Sequence, residues 1–112
     1  MVEYLQEDEL SRLLKAVSDS TRRALLTQLC QQGATRVTDL AQHYDVSLNA
    51  VSKHIKVLEA AGLVRRKTLG RTHLIEADLS RTRLMSDWLG SLQSIWALSL
   101  DELDHILTGE EE

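Results

Sequence analysis

Along residues 46–62, VSLNAVSKHIKVLEAAG, the apolar positions Leu48, Val51, Ile55 and Leu58 recur at steps of three, four and three. On a helix that spacing gathers them into one buried stripe, and leaves Asn49, Ser52, Lys53 and Lys56 on an opposite face that is small and polar. Ser47 has the chemistry of an N-cap, and Gly62 can take the left-handed conformation that stops a helix. The pattern therefore predicts a helix over 48–61. Upstream, VTDLAQHY at 37–44 is a second, shorter apolar-periodic segment, joined to the first through Asp45, Val46 and Ser47. Two helices linked by so short a turn, the second with a polar outer face, predict a helix-turn-helix over 37–61. Downstream, 63–68 and 72–77 flank a turn containing Gly70 and predict a hairpin, the wing, over 63–77. The fold expected is mainly α with a small β-hairpin: a winged helix-turn-helix of about five helices and a two-stranded wing.

The flanking segments are helical too. Residues 7–17 start with an acidic turn, Glu7, Asp8 and Glu9, that suits a helix N-terminus, and continue with an apolar face of Leu10, Leu13, Leu14 and Val17. Tyr4 and Leu5, just before it, are expected to pack on a neighbouring element or a second subunit. After a break at 18–20, residues 21–32 form a helix with Ala24, Leu25, Leu29 and either Cys30 or Leu26 directed inward, ended by Gly33. Cys30 is expected to be a small buried residue. Arg22 and Arg23 open this helix, where cations are disfavoured; they either meet a phosphate backbone, or are solvated or paired with Asp19.

From Ser80 the pattern is helical again and runs over 80–107. Leu84, Trp88, Leu92, Ile95 and Trp96, then Leu103, Ile106 and Leu107, make an apolar stripe longer than one wing domain needs. Ser99 with Glu102 reads as a capping box at which the helix restarts, although an unbroken helix fits equally. A two-fold dimer interface is expected from Leu10, Leu13 and Leu14 of the first helix together with Leu84, Trp88, Leu92, Ile95 and Trp96 of the last. Residues 109–112 should fray.

A chain of 112 residues fits a single domain, 1–112, able to bury a core without staples. One cysteine allows no intrachain disulfide, and no long apolar run suggests a signal peptide or a membrane span. These features point to a soluble cytoplasmic protein with no membrane contact. A net charge of −4 argues against a nucleic-acid partner until it is divided along the chain. Residues 36–83 hold nine Lys or Arg against five acids, whereas 84–112 hold seven acids and no Lys or Arg. Positive charge is thus concentrated on the helix-turn-helix and wing, where phosphates would be met. At the wing tip, Arg71 is the candidate for a minor-groove or phosphate contact. No Gly-rich phosphate loop, nucleophile elbow or H-E-x-x-H is present, so no catalysis is expected.

The stretches SDSTRRALLTQL, VTDLAQHYDVSLNAVSKHIKVLEAAGLVRRKTLGRTHLIEA and WLGSLQSIWALSLDELDHIL together resemble the ArsR/SmtB family of bacterial winged-helix repressors over roughly residues 7–108. Within that family the chain is similar to small members with a tryptophan-bearing last helix and no metal-site cysteines. The resemblance implies a homodimeric DNA-binding transcriptional regulator, commonly a repressor, reading a pseudo-palindromic operator on double-stranded DNA with the helix at 48–61. Matched to the family's reading positions, Asn49, Ser52, Lys53 and His54 are the expected base and backbone contacts, with Lys56 a weaker candidate. Where many relatives have Gln this chain has Leu48, in keeping with its place in the buried stripe. Ser20 stands where a Pro is common.

Metal-sensing relatives carry cysteines at positions matching Arg36 and Thr38, neither of which is a ligand. Asp101 and His105 lie four apart on one helical face, but read better as part of an acidic surface than as half of an intersubunit metal site. His43, His54 and His73 are dispersed. No metal or other cofactor is expected, and the effector, if there is one, is unnamed by the sequence. Two further functions stand beside the DNA-binding repressor: a protein-interaction module built on the winged helix, and a switch on the same fold responding to a metal or small molecule.

Overall fold

The computed structural model describes residues 2–109, with side chains from residue 8 onward. The packing expected of Tyr4 and Leu5, the side chain of Glu7 and the fraying of 110–112 lie outside the described residues. The elements are α1 (Val2–Ala16), α2 (Ser20–Gln32), β1 (Thr35–Arg36), α3 (Val37–Gln42), α4 (Leu48–Ala60), β2 (Val64–Leu69), β3 (Thr72–Ala77), a single 3₁₀ turn (Ser80–Thr82) and α5 (Arg83–Thr108). They form two compact units, one ending at Thr82 and the other beginning at Arg83.

In the first unit the core is aliphatic and drawn from every helix: Leu13 and Ala16 of α1, Leu25 and Leu29 of α2, Leu40 of α3, and Val51, Ile55 and Leu58 of α4. Leu63, Val64 and Ile75 close it from the sheet side. Truncating any one of the leucines to alanine would cost about 2–5 kcal/mol, because a packed interior collapses only partly onto the space left. Leu13, expected at a dimer interface, belongs to this core at 1% exposure, and its surface is already spent inside its own chain. Leu10 and Leu14 remain half-buried.

The wing is larger than a hairpin. Thr35 and Arg36 pair antiparallel with Ile75 and Leu74, giving a three-stranded sheet in the order β1-β3-β2. Between β2 and β3, Leu69 pairs with Thr72 across the two-residue loop Gly70-Arg71. Gly70 has φ +63°, the sign that the first loop residue needs for the turn to follow the twist of its strands.

Both ends of α4 have a local cause. The Ser47 side chain accepts from the Ala50 N–H at 3.1 Å and caps α4. Gly62, at φ +80°, ends the helical path after it. A Cβ added at Gly62 would stand 2.8 Å from Cδ of Arg81, so a larger residue would have to push that arginine aside as well as adopt a positive φ.

The second unit is one helix. It runs unbroken through Ser99 for 26 residues, about 39 Å at the usual rise, so the restart at Ser99 does not occur. None of its residues is buried, and Trp88, Leu92, Ile95, Trp96, Leu103, Ile106 and Leu107 are all exposed. Leu84 is half-buried. Among the described residues, no helix is long and apolar enough to cross a membrane.

Candidate nucleic-acid interface

The outer face of α4 carries polar groups that the fold itself does not use. Along this helix and its cap, the side-chain hydrogen bonds are those of Ser47, His54 and Glu59. Asn49, Ser52, Lys53 and Lys56 make none among the described residues; Ser52 is half-buried and the other three are exposed. Their donors and acceptors are satisfied only by solvent and are free to be exchanged for another surface.

His54 stands apart from those four. Its half-buried ring faces α2, with Nδ1 3.3 Å from Nη1 of Arg22 and 3.9 Å from Oδ2 of Asp19. Expected as a DNA contact, it also joins two helices within the chain. Arg22 is central to that joint: its Nε donates to Ala16 O at 2.7 Å and its Nη2 to Lys15 O at 3.0 Å. Arg23 Nη1 donates to Val17 O at 2.7 Å. The two arginines that look misplaced at the start of α2 therefore serve the end of α1, where free carbonyls and the negative helix pole favour cations. Neither the phosphate contact nor the Asp19 side-chain pairing expected of them is their main role. Asp19 caps α2, its Oδ2 accepting from the Arg22 N–H at 3.0 Å. That bond above all, with the His54 and Arg22 charges adding to it, holds its carboxyl below the ordinary carboxylate value against burial, which pulls the other way.

The cations of the wing are mostly answered within the protein. Glu76 takes Arg65 at 3.4 Å and Lys67 at 3.3 Å, Asp78 takes Arg65 at 3.5 Å, and Glu59 takes Arg66 at 3.3 Å. Arg36 pairs with Asp39 at 2.9 Å. Exposed pairs of this kind add little to stability, but they cancel charge locally. Between residues 36 and 72, the cations without an ion pair among the described residues are Lys53 and Lys56 on α4 and Arg71 at the wing tip.

Those two places border one cleft. About 360 Å³ in volume, it lies between the start of α3, the first turns of α4 and the wing, and is lined by Arg36, Val37, Thr38, Leu48, Ser52, Arg66, Arg71, Thr72 and His73. Ser52 and Arg71, selected from the sequence, meet here. Leu48, Arg36 and His73 were not selected. Leu48 in particular is 49% exposed: it is the first residue of α4, one turn before Val51 enters the core, and about half of its surface stays open. Its assignment to the buried stripe is corrected. Cys30 is likewise exposed rather than buried, because Leu25 and Leu29, four apart, carry the inward face of α2 and residue 30 lies a further 100° round. Ala24 is exposed for the same reason. Tyr44, by contrast, is half-buried and its hydroxyl donates to Gln28 Oε1 at 2.7 Å; burial pushes its pKa up. Among the described residues no three His, Cys, Asp or Glu side chains cluster closely enough to hold a metal ion.

A family model described as a helix-turn-helix domain matches residues 17–67. An HTH-type transcriptional regulator of Bacillus subtilis, YuzN, is 36% identical over 84 residues, covering 69% of this chain and 91% of that protein. The arsenical resistance operon repressor of the same organism is 38% identical over 56 residues, and the match spans about half of its length, 53%. Among solved structures, the ArsR family transcriptional regulator RHA00566 superposes with a TM-score of 0.76 at 31% identity, covering 81% of this chain and 93% of that one.

Proposed function

The chain belongs to the ArsR family of transcriptional regulators, and from that premise we propose that it is a sequence-specific DNA-binding repressor that acts as a homodimer in the cytoplasm. The observation that carries this reading is the distribution of unengaged groups. Lys53, Lys56 and Arg71 are without acid partners, and Asn49 and Ser52 without side-chain hydrogen bonds, on the reading helix and wing tip while the surrounding cations are neutralised.

In this reading α4 enters the major groove. Asn49 presents an amide that can both donate and accept, the combination suited to adenine, and Ser52 a hydroxyl that suits several base edges. Lys53 and Lys56 meet phosphates on the flanks, fixing register without reading sequence. Arg71, carried out on the Gly70 turn, reaches the backbone or the neighbouring minor groove. Two copies are needed to read a two-fold related site, and α5 supplies the contact. Its exposed tryptophans and leucines form the kind of apolar surface that a lone helix does not keep in water, with Leu10 and Leu14 adding from α1. Repression follows from occupancy, since a dimer seated on a promoter excludes the polymerase. A protein-interaction module on the same fold leaves the unpaired cations without a role.

Fluorescence anisotropy with a labelled duplex from the region upstream of the reading frame tests the proposal. The expected result is saturable binding of two chains per duplex, weakened by salt and resistant to competitor DNA of unrelated sequence. Absence of any preference over competitor DNA at low salt would overturn it.

A further inference from the structure

We propose that Leu48 reads the 5-methyl group of a thymine in the major groove, a specificity contact that rests on the DNA-binding function proposed above. Among the described residues of the first unit, the large exposed hydrophobic side chains are Val46, Leu48, Leu69 and Leu79. Only Leu48 lies on the helix with the unengaged polar face. It is four residues before Ser52, one turn along the same side, and both border the cleft that Arg71 closes from the wing. Its exposure is therefore on the surface that DNA would cover. It is not among the buried residues of the core.

The chemistry of the side chain selects its target. Base edges in the major groove offer donors and acceptors, and a leucine laid against them strands each one without water or a partner. Thymine alone among the four bases presents an apolar group there, its C5 methyl. Leucine facing that methyl buries apolar surface on both sides and leaves no polar atom unpaired. Leucine facing cytosine, guanine or adenine gains nothing comparable. The same argument predicts how a neighbouring contact behaves: Ser52, a turn further on, remains free to bond the adjacent base pair, so the leucine and the serine read different steps.

The test needs no variant to begin. A duplex enriched by the protein from a random-sequence pool is resynthesised with each thymidine in turn replaced by deoxyuridine, which removes the methyl and keeps every hydrogen-bonding group. At one position per half-site the replacement should weaken binding about fourfold, and about fifteenfold when made in both halves, from the transfer value of one methyl group. Leu48→Ala should bind the unmodified duplex more weakly and lose its sensitivity to uracil at that position alone. Circular dichroism of this variant should be unchanged, since the side chain is exposed. If the wild-type protein selects a defined duplex, yet no uracil replacement weakens it, or the sensitivity survives in Leu48→Ala, the thymine contact is wrong while the DNA-binding function stands. If no sequence is enriched at all, both fall together.

Discussion

The guanidinium of Arg22 stands 3.3 Å from Nδ1 of His54 while its other nitrogens bond the last carbonyls of α1. One side chain at the start of α2 thus ties the end of α1 to the middle of the reading helix. Orientation of α4 depends on a joint that is remote from its outer face.

Breaking this joint should act on stability before it acts on recognition. Arg22→Ala is expected to destabilise the chain by about 2 kcal/mol, the value of a charge-assisted hydrogen bond to a backbone carbonyl. Lysine should restore little, because a single ammonium cannot bond two carbonyls and a ring nitrogen in the planar fork that Arg22 uses. Urea unfolding of the two variants measures this. His54→Ala should lower the unfolding midpoint and leave the sequence preference of the bound duplex unchanged; a changed preference would return His54 to the contact surface.

Acid should loosen the same region. The Asp19 carboxyl is held below its ordinary value of 3.8, chiefly by the Arg22 N–H. A depressed carboxylate contributes its stabilisation in full above the unfolded value, and loses it as pH falls through the lower, folded one. Asp19→Asn keeps an oxygen for the cap and removes the titration. Between about pH 5 and about pH 2, thermal melting of this variant should fall less steeply than that of the wild type. Parallel curves would show that the cap carries no linkage.

Salt provides a count of the cations in contact. With Lys53, Lys56 and Arg71 from each of two chains on phosphates, the logarithm of the binding constant should fall against the logarithm of salt with a slope of about −5. Lys53→Ala should reduce that slope by about 2, from one lost contact per chain, and weaken related and unrelated duplexes alike. Asn49→Ala should leave the slope alone and relax preference at one base pair by about 1–3 kcal/mol. Titration at several salt concentrations separates the two behaviours.

Assembly should depend on α5. Trp96 is 66% exposed on that helix, and Trp96→Glu places a charge in the proposed contact between copies. Sedimentation equilibrium should show the mass fall from two chains to one. Affinity for a two-fold site should drop by at least about 100-fold, since the second half-site is no longer held at high effective concentration. A variant that remains dimeric would move the interface elsewhere.

Much of this architecture can be read from spacing alone. Val51, Ile55 and Leu58, the serine before them and the glycine after them define α4 because each acts within a few residues of its neighbours. The hairpin announces itself through Gly70 for the same reason. What escapes is whatever depends on distant partners. Strand β1 is two residues long and exists only because β3 lies beside it. The work of Arg22 and Arg23 is invisible without the end of α1. Periodicity also overreaches at its ends: Leu48 has the right phase for the stripe but sits one turn before the core begins. Nor does it separate one burial from another, since Leu13 shares a stripe with Leu10 and Leu14 yet alone among them is spent on the core. At the candidate interface, Asn49, Lys53 and Lys56 were legible as the polar face of a helix. Neutralisation of Arg65, Arg66 and Lys67 was not, since their acids arrive from another strand and from α4.

Glu76, with a carboxylate shared between Arg65 and Lys67, has a consequence for how such a regulator can change. A short mutational route to a chain that clings to any polyanion is the loss of this one acid, which leaves Lys67 without a partner and Arg65 with Asp78 alone. Selection for a faithful regulator should then bear on a residue that touches no DNA, whose task is to keep the protein from settling at the wrong address.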